Sequence, residues 1–173
     1  MSLPYLMKIE ELRPLITYFK DLPWPQPPEA MQTISEDLGW TNFHSIEQKV
    51  ALANTGYLPE HYSPANFSAD THCMFATPPG IMKILFTICT GVVPHDHNQM
   101  KWLKSSFATL VANISTVLGI PSTLVQGKKR EQAWDLPTQG RIQLCRYKQE
   151  VYFLVLSPQW ADTQRQQSNT LKT

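Results

Sequence analysis

Cysteine, long apolar runs and an excess of charge of either sign are all scarce in this chain, and each shortage excludes something. The three cysteines, Cys73, Cys89 and Cys145, are odd in number and lack CxxC spacing, which argues against both a disulfide framework and a zinc knuckle. They read as buried thiols in a reducing compartment. The most apolar window, Ile81 to Val93, is broken by Lys83 and falls far short of the ~20 residues that span a bilayer. Met1 to Phe19 mixes apolar residues with Lys8, Glu10, Glu11 and Arg13, so the apolar run of an export signal is not visible. The seven glycines form no Gly-x-Gly-x-x-Gly, no Gly-Lys-Ser/Thr and no Gly-x-Ser-x-Gly, hence no phosphate cradle and no nucleophile elbow. A net charge of +1, from 15 basic and 14 acidic residues, lacks the basic excess that drives phosphate-backbone binding. Together these absences predict a cytoplasmic protein that engages neither membrane nor nucleic acid.

What is present suits one globular domain. The 173 residues are 42% hydrophobic and only 17% charged, apolar enough to bury a core and too weakly charged for a disordered chain. We expect that domain to span residues 1–162, with 163–173 as a polar, disordered tail. The near-neutral total hides an asymmetry: residues 1–86 carry nine acids and five bases, whereas residues 87–173 carry five acids and ten bases. Between Glu10 and Asp70 the nine acids face only Arg13, Lys20 and Lys49. This segment offers an acidic face to a basic partner, the alternative being ordinary surface solvation.

Periodicity gives the elements. Ile9, Leu12, Ile16 and Phe19 sit at helical spacing within Lys8 to Lys20, with Pro14 demanding a first-turn place or a kink. Leu22 to Pro28 is held extended by its prolines, and its Pro25-x-x-Pro28 spacing lacks the flanking basic residue of an SH3 ligand. A helix follows from about Pro27 to Leu38, with Ala30, Met31, Ile34 and Leu38 as its apolar stripe and Gly39 as its stop. Glu29 and Glu36 share its wet face. Residues 42–70 read as a short helix near Ser45 to Ala53 and then loop. Cys73 to Ala76 and Ile81 to Val92 flank Thr77-Pro78-Pro79-Gly80 as a hairpin, the second strand central and covered on both faces or nearly so. Leu103, Phe107, Leu110, Val111, Ile114 and Leu118 form a single stripe on a long helix, about 96–118, with Asp96 at its start and Gly119 at its end. Strands at Thr123 to Gln126 and Gln132 to Leu136, then a hairpin of Arg141 to Tyr147 with Val151 to Leu156, complete the order. The fold class is therefore α+β: an antiparallel sheet packed against helices, one of them the long amphipathic helix.

Few residues suggest chemistry. His95-Asp96-His97 places two imidazoles and a carboxylate together, but a metal needs further ligands from the fold, and Asp96 already serves as a helix cap. Cys89 and Cys145 lie in apolar strands without a group that would activate them. Lys128-Lys129-Arg130 reads as a solvated turn. Of the five tryptophans, Trp24 and Trp160 lie beside prolines or near them at element ends, where exposure favours an interface role.

One resemblance goes further. The helix ending Leu38-Gly39-Trp40, the long helix ending Val117-Leu118-Gly119, and the succession Trp134-Asp135-Leu136-Pro137, Arg141 to Leu144, Val151 to Leu154 and Ser157-Pro158 together resemble small bacterial immunity (antitoxin) proteins of polymorphic or contact-dependent toxin systems. The likeness covers about residues 22–162. It implies a cytoplasmic protein that binds a cognate toxin domain and neutralises it, with no catalytic residue, cofactor or metal of its own. Charge complementarity then makes Glu29, Glu36, Glu47 and Glu60 the candidate contacts, with Trp24 and Trp160 as candidate aromatic anchors. Two other classes stay open: a chaperone or adaptor for a secreted effector, and a metal-dependent enzyme using His95, Asp96 and His97.

Overall fold

Alternating apolar residues build one antiparallel sheet from strands drawn from both halves of the chain. The computed structural model describes residues 4–58, 63–70, 80–90, 95–125 and 130–171, apart from the side chains of 70, 123–125 and 168–171. The strands are β1 (Tyr5–Leu6), β2 (Thr41–Ile46), β3 (Val50–Asn54), β4 (Pro64–Asp70), β5 (Gly80–Thr90), β6 (Thr123–Val125), β7 (Arg130–Asp135), β8 (Arg141–Tyr147) and β9 (Glu150–Leu156). They lie in the order β2-β3-β4-β5-β9-β8-β7-β6, with β1 joined to the end of β5. The helices are α1 (Ile9–Asp21), α2 (Ala30–Asp37), α3 (His97–Leu118) and α4 (Pro158–Leu171). The α+β class expected from the pattern is what the chain forms.

The core lies between one sheet face and α1, α2 and α3. Ala51, Ala53, Ala65, Phe67, Ile84, Phe86, Ile142, Leu144, Phe153 and Val155 on the sheet meet Leu12, Ile16, Phe19, Met31, Ile34, Leu103, Phe107, Leu110 and Ile114 on the helices. At its centre Phe86 of β5 stacks on Phe153 of β9 with ring centroids 5.0 Å apart, and Phe19 of α1 lies 6.4 and 6.3 Å from the two rings. Each fully buried aromatic contributes on the order of 2–3 kcal/mol.

Local chemistry sets the helix ends. Asp96 caps α3, its carboxylate accepting from the Asn98 and Gln99 amides at 3.0 and 3.1 Å. Gly119, at φ 87°, closes the far end, and its carbonyl accepts from the indole of buried Trp134 at 3.1 Å. The end of α2 is a Schellman motif: Gly39 takes φ 71°, its amide reaches the Glu36 carbonyl, and the Trp40 amide reaches the Ser35 carbonyl. Pro14 lies within α1, whose inner face is held by Leu12, Leu15, Ile16 and Phe19.

Four expectations change. Residues 45–53, read as a helix, belong to the β2–β3 hairpin, because Val50 to Ala53 is a short apolar run with no helical period of its own. Its turn runs through Glu47 and Gln48, both left-handed at φ 51° and 56°, without the Asn-Gly signature that would have revealed it. β4 lies in the stretch read as loop, and it is the described antiparallel neighbour of β5 on that side; the expected strand at Cys73 to Ala76 and its turn lie outside the described residues. β5 is central as expected, but from Ile84 to Ile88 it alternates between buried and half-buried residues, so it is fully covered on one face only. Finally, residues 163–171, expected within a disordered tail, continue α4, which starts where Ser157 caps with its hydroxyl accepting from the Trp160 amide and Pro158 occupies the first helical position.

Two substitutions of opposite sign test this account. Replacing Gly39 with Ala meets no atom within 4 Å and still costs about 1 kcal/mol, because the left-handed backbone alone penalises a Cβ. Replacing Gln48 with Gly relieves the same penalty and adds about 0.5–1 kcal/mol. Urea midpoints measure both, with unchanged slopes.

Candidate functional site

Register fixes which side chains share the sheet's outer face, the one turned away from α1, α2 and α3. One row crosses the sheet as His44, Leu52, Asn66, Leu85, Leu154, Gln143 and Ala133. The row on one side of it runs Ile46, Val50, Ser68, Lys83, Leu156, Arg141 and Asp135, and the row on the other side includes Thr87, Tyr152, Cys145 and Glu131. An antiparallel sheet with one wet face normally presents polar residues there. Here the middle row carries three leucines.

The outer face is divided by α4. The Ser157 amide donates to the Met82 carbonyl at 2.9 Å as the chain leaves β9, and Arg165 then donates to Asp135 at 2.8 Å and to the Gln139 carbonyl at 3.1 Å. Asp135 also accepts from Arg141 Nε at 2.9 Å, and Arg165 pairs with Asp162. The Arg141 side chain is only 4% exposed. Burial alone would raise the Asp135 carboxyl, but hydrogen bonds from Arg141 and Arg165 outweigh it and hold the group below the ordinary carboxylate range. Toward this end Leu156, Arg141, Gln143 and Ala133 are buried on the outer side. Toward β2 the face is open: Leu52, Leu85, Tyr152 and Leu154 are half-buried, while Val50 is 42% and Ile46 55% exposed.

Residues 10–157 match the family of unknown function DUF6301. The chain belongs to that family. No curated protein and no solved structure matches it. The DUF6301 match runs from the first turn of α1 to the residue that caps α4, so every described strand except β1 lies inside it, with α2, α3 and nearly all of α1, and α4 lies beyond it.

The residues singled out in the sequence are scattered over this framework. Glu29 and Glu36 are exposed on or beside α2, in the helical layer, where Glu36 accepts from Gln32 at 3.1 Å. Glu47 is exposed in the β2–β3 turn at the rim of the open face and pairs with Lys49 at 3.5 Å. Glu60 lies outside the described residues. Trp24 is partly buried against the core, its indole nitrogen 2.8 Å from where a Cβ on Gly140 would stand. Trp160 is half-buried in the first turn of α4. His95 and His97 are exposed on either side of the capping Asp96, and among the described residues no three His, Cys, Asp or Glu side chains converge as metal ligands. Cys89 and Cys145 are both buried, the Cys145 thiol donating to Glu131 Oε1 at 3.7 Å; burial, with a smaller push from Glu150, raises the Cys89 thiol to about 12, which keeps it protonated and unreactive. A shallow, open depression on α1 is lined by Glu10, Arg13, Pro14, Thr17 and Tyr18. Among the described residues no helix is long and apolar enough to cross a membrane.

Sequence reasoning missed the open face. Its signal was the unbroken apolarity of Val151 to Leu156 and Ile84 to Phe86, where both alternating sets are apolar although only one reaches the core. The expectation that the Ile81 to Val92 strand is covered on both faces or nearly so absorbs Leu85, and nothing in the Val151 to Leu156 run says which face Leu154 occupies.

The Asp135 cluster yields a pH prediction. A carboxylate held below its ordinary range supplies stability above the unfolded-state value and loses it as pH falls through the folded one. Asp135→Asn is therefore expected to cost about 1–2 kcal/mol at neutral pH, since it weakens the partner of buried Arg141. The gap to the wild type should close as pH falls below 4, the ordinary range of the carboxyl; thermal melts from pH 7 to 3 measure it.

Proposed function

We propose that this protein is an immunity-type inhibitor, a cytoplasmic scaffold that binds a cognate toxin domain and holds it inactive. The observation that carries the reading is the open half of the outer sheet face, where Leu52, Leu85 and Leu154 cross three strands among Asn66, Thr87 and Tyr152. An apolar centre within a polar rim is the anatomy of a protein-binding surface. Its floor is rigid because the same strands bury Phe67, Phe86 and Phe153 on the other side, so little ordering entropy opposes binding. Inhibition of this kind needs a stable, complementary surface and no activated nucleophile.

The chaperone alternative would instead use a sheet edge to hold an extended segment. At β2, however, the register shifts between Thr41 and His44 and Asn42 is left-handed at φ 54°, a bulge of the kind that blunts strand addition. The broad face is the better surface.

Glu29 and Glu36 take a steering role in this reading, since they stand in the helical layer away from the contact face. Where a toxin-like reading frame adjoins its gene, co-expression of this protein should restore growth to cells that make the toxin-like product, and the two proteins should purify as a stoichiometric complex. Failure to rescue removes the immunity reading. Reversing Glu29 and Glu36 to Lys should slow association about three- to tenfold at low salt while leaving dissociation unchanged; stopped-flow rates at two ionic strengths decide it.

A further inference from the structure

Resting on that reading of the outer face, we propose that its open half seats an amphipathic α-helix of the partner, laid beside α4 with a carboxylate meeting Lys83. What selects a helix is α4 itself. It occupies the same side of the sheet, tied down by Arg165 at Asp135 and Gln139, and stands about one helix diameter, ~10 Å, above the strands. The open strip is therefore a floor beside a step. A flat sheet, or the outer face of a second copy with its own α4, is held off by that step before it reaches Leu85 and Leu154. A single helix fits beside it and continues the layer that α4 begins.

The dimensions agree. From β2 to β9 the strip crosses five neighbouring strands, roughly 19 Å at ~4.8 Å per strand, the length of about 13 helical residues at ~1.5 Å each. Leucines at Leu52, Leu85 and Leu154 suit a stripe of apolar residues spaced three and four apart. Charge fixes the orientation. Lys83 is half-buried one step from Leu85 on the same strand and has no ion pair among the described residues, so an acid on the flank of the incoming helix finds a cation waiting. On the opposite flank burial, together with a hydrogen bond to the Glu150 side chain, raises the Tyr152 phenol far above the ordinary range; that border is acidic, so a carboxylate of the incoming helix is directed to the Lys83 side.

The test uses the full chain and a fluorescent, hydrocarbon-stapled helical peptide of about 13 residues, with Leu at positions i, i+4 and i+7 and Glu beside them. Anisotropy should show saturable binding, weakened at least about tenfold by Leu85→Asp and by Leu154→Gln. Lys83→Glu should weaken it about three- to tenfold, and exchanging the peptide's Glu for Lys should restore it. Leu154→Gln nearly preserves side-chain volume and keeps the test decisive if Leu85→Asp unfolds the chain. Absence of saturable binding, binding indifferent to all three substitutions, or equal binding of the same peptide interrupted by a central proline would overturn the proposal. Because this readout needs no toxin, it stands or falls separately from rescue by co-expression.

Discussion

The antiparallel pairing of β5 with β9 is the seam on which the rest of the molecule depends. β2 to β5 arrive from the first half of the chain and β9 to β6 from the second, and among the described residues only this ladder joins them into one sheet. Its two faces have separate tasks. On the inner side Phe86, Ile84, Phe153 and Val155 bring the strands under α1 and give the core its centre. On the outer side the same residue pairs, shifted by one position, place Leu85 against Leu154. A one-residue slip would exchange these sets, so the burial that fixes the inner face also fixes what the outer face presents.

That coupling explains how a chain without conspicuous chemistry comes to have a defined surface. Glu10, Glu11, Asp21, Glu29, Glu36 and Asp37 lie on or beside α1 and α2, the open half of the outer face carries three leucines and Lys83, and α4 closes the end where Arg141 is buried. The electrostatic anchor of α4 is compact: one carboxylate, Asp135, receives both guanidinium groups that matter there. The DUF6301 family match ends at the cap of this helix, so the sheet with its open face is the part that the family defines.

Legibility in the sequence followed period and punctuation. The long helix was plain because Leu103, Phe107, Leu110 and Ile114 repeat on one stripe between Asp96 and Gly119, and the β8–β9 hairpin was plain because apolar runs flank a short polar link. The β2–β3 hairpin was hidden because its left-handed turn is built from Glu47 and Gln48, residues that rarely signal such a turn. α4 was hidden because its composition is polar and its stability comes from Arg165 meeting a residue 30 positions away, which no local pattern records. The acidic residues were legible as a group but not as a place, since charge counts do not say which side of a sheet a helix will cover.

The seam also sets an order of events during synthesis. β5 is complete roughly sixty residues before the β9 residues that pair with it, an interval of about 3–12 s at ~5–20 residues per second. Throughout that interval the longest described strand of the chain has one open edge. α3 is made next, and its contacts are local enough to form in about a microsecond. Leu103, Phe107 and Leu110 can then shelter the inner face of β5 while its open edge still waits for β9.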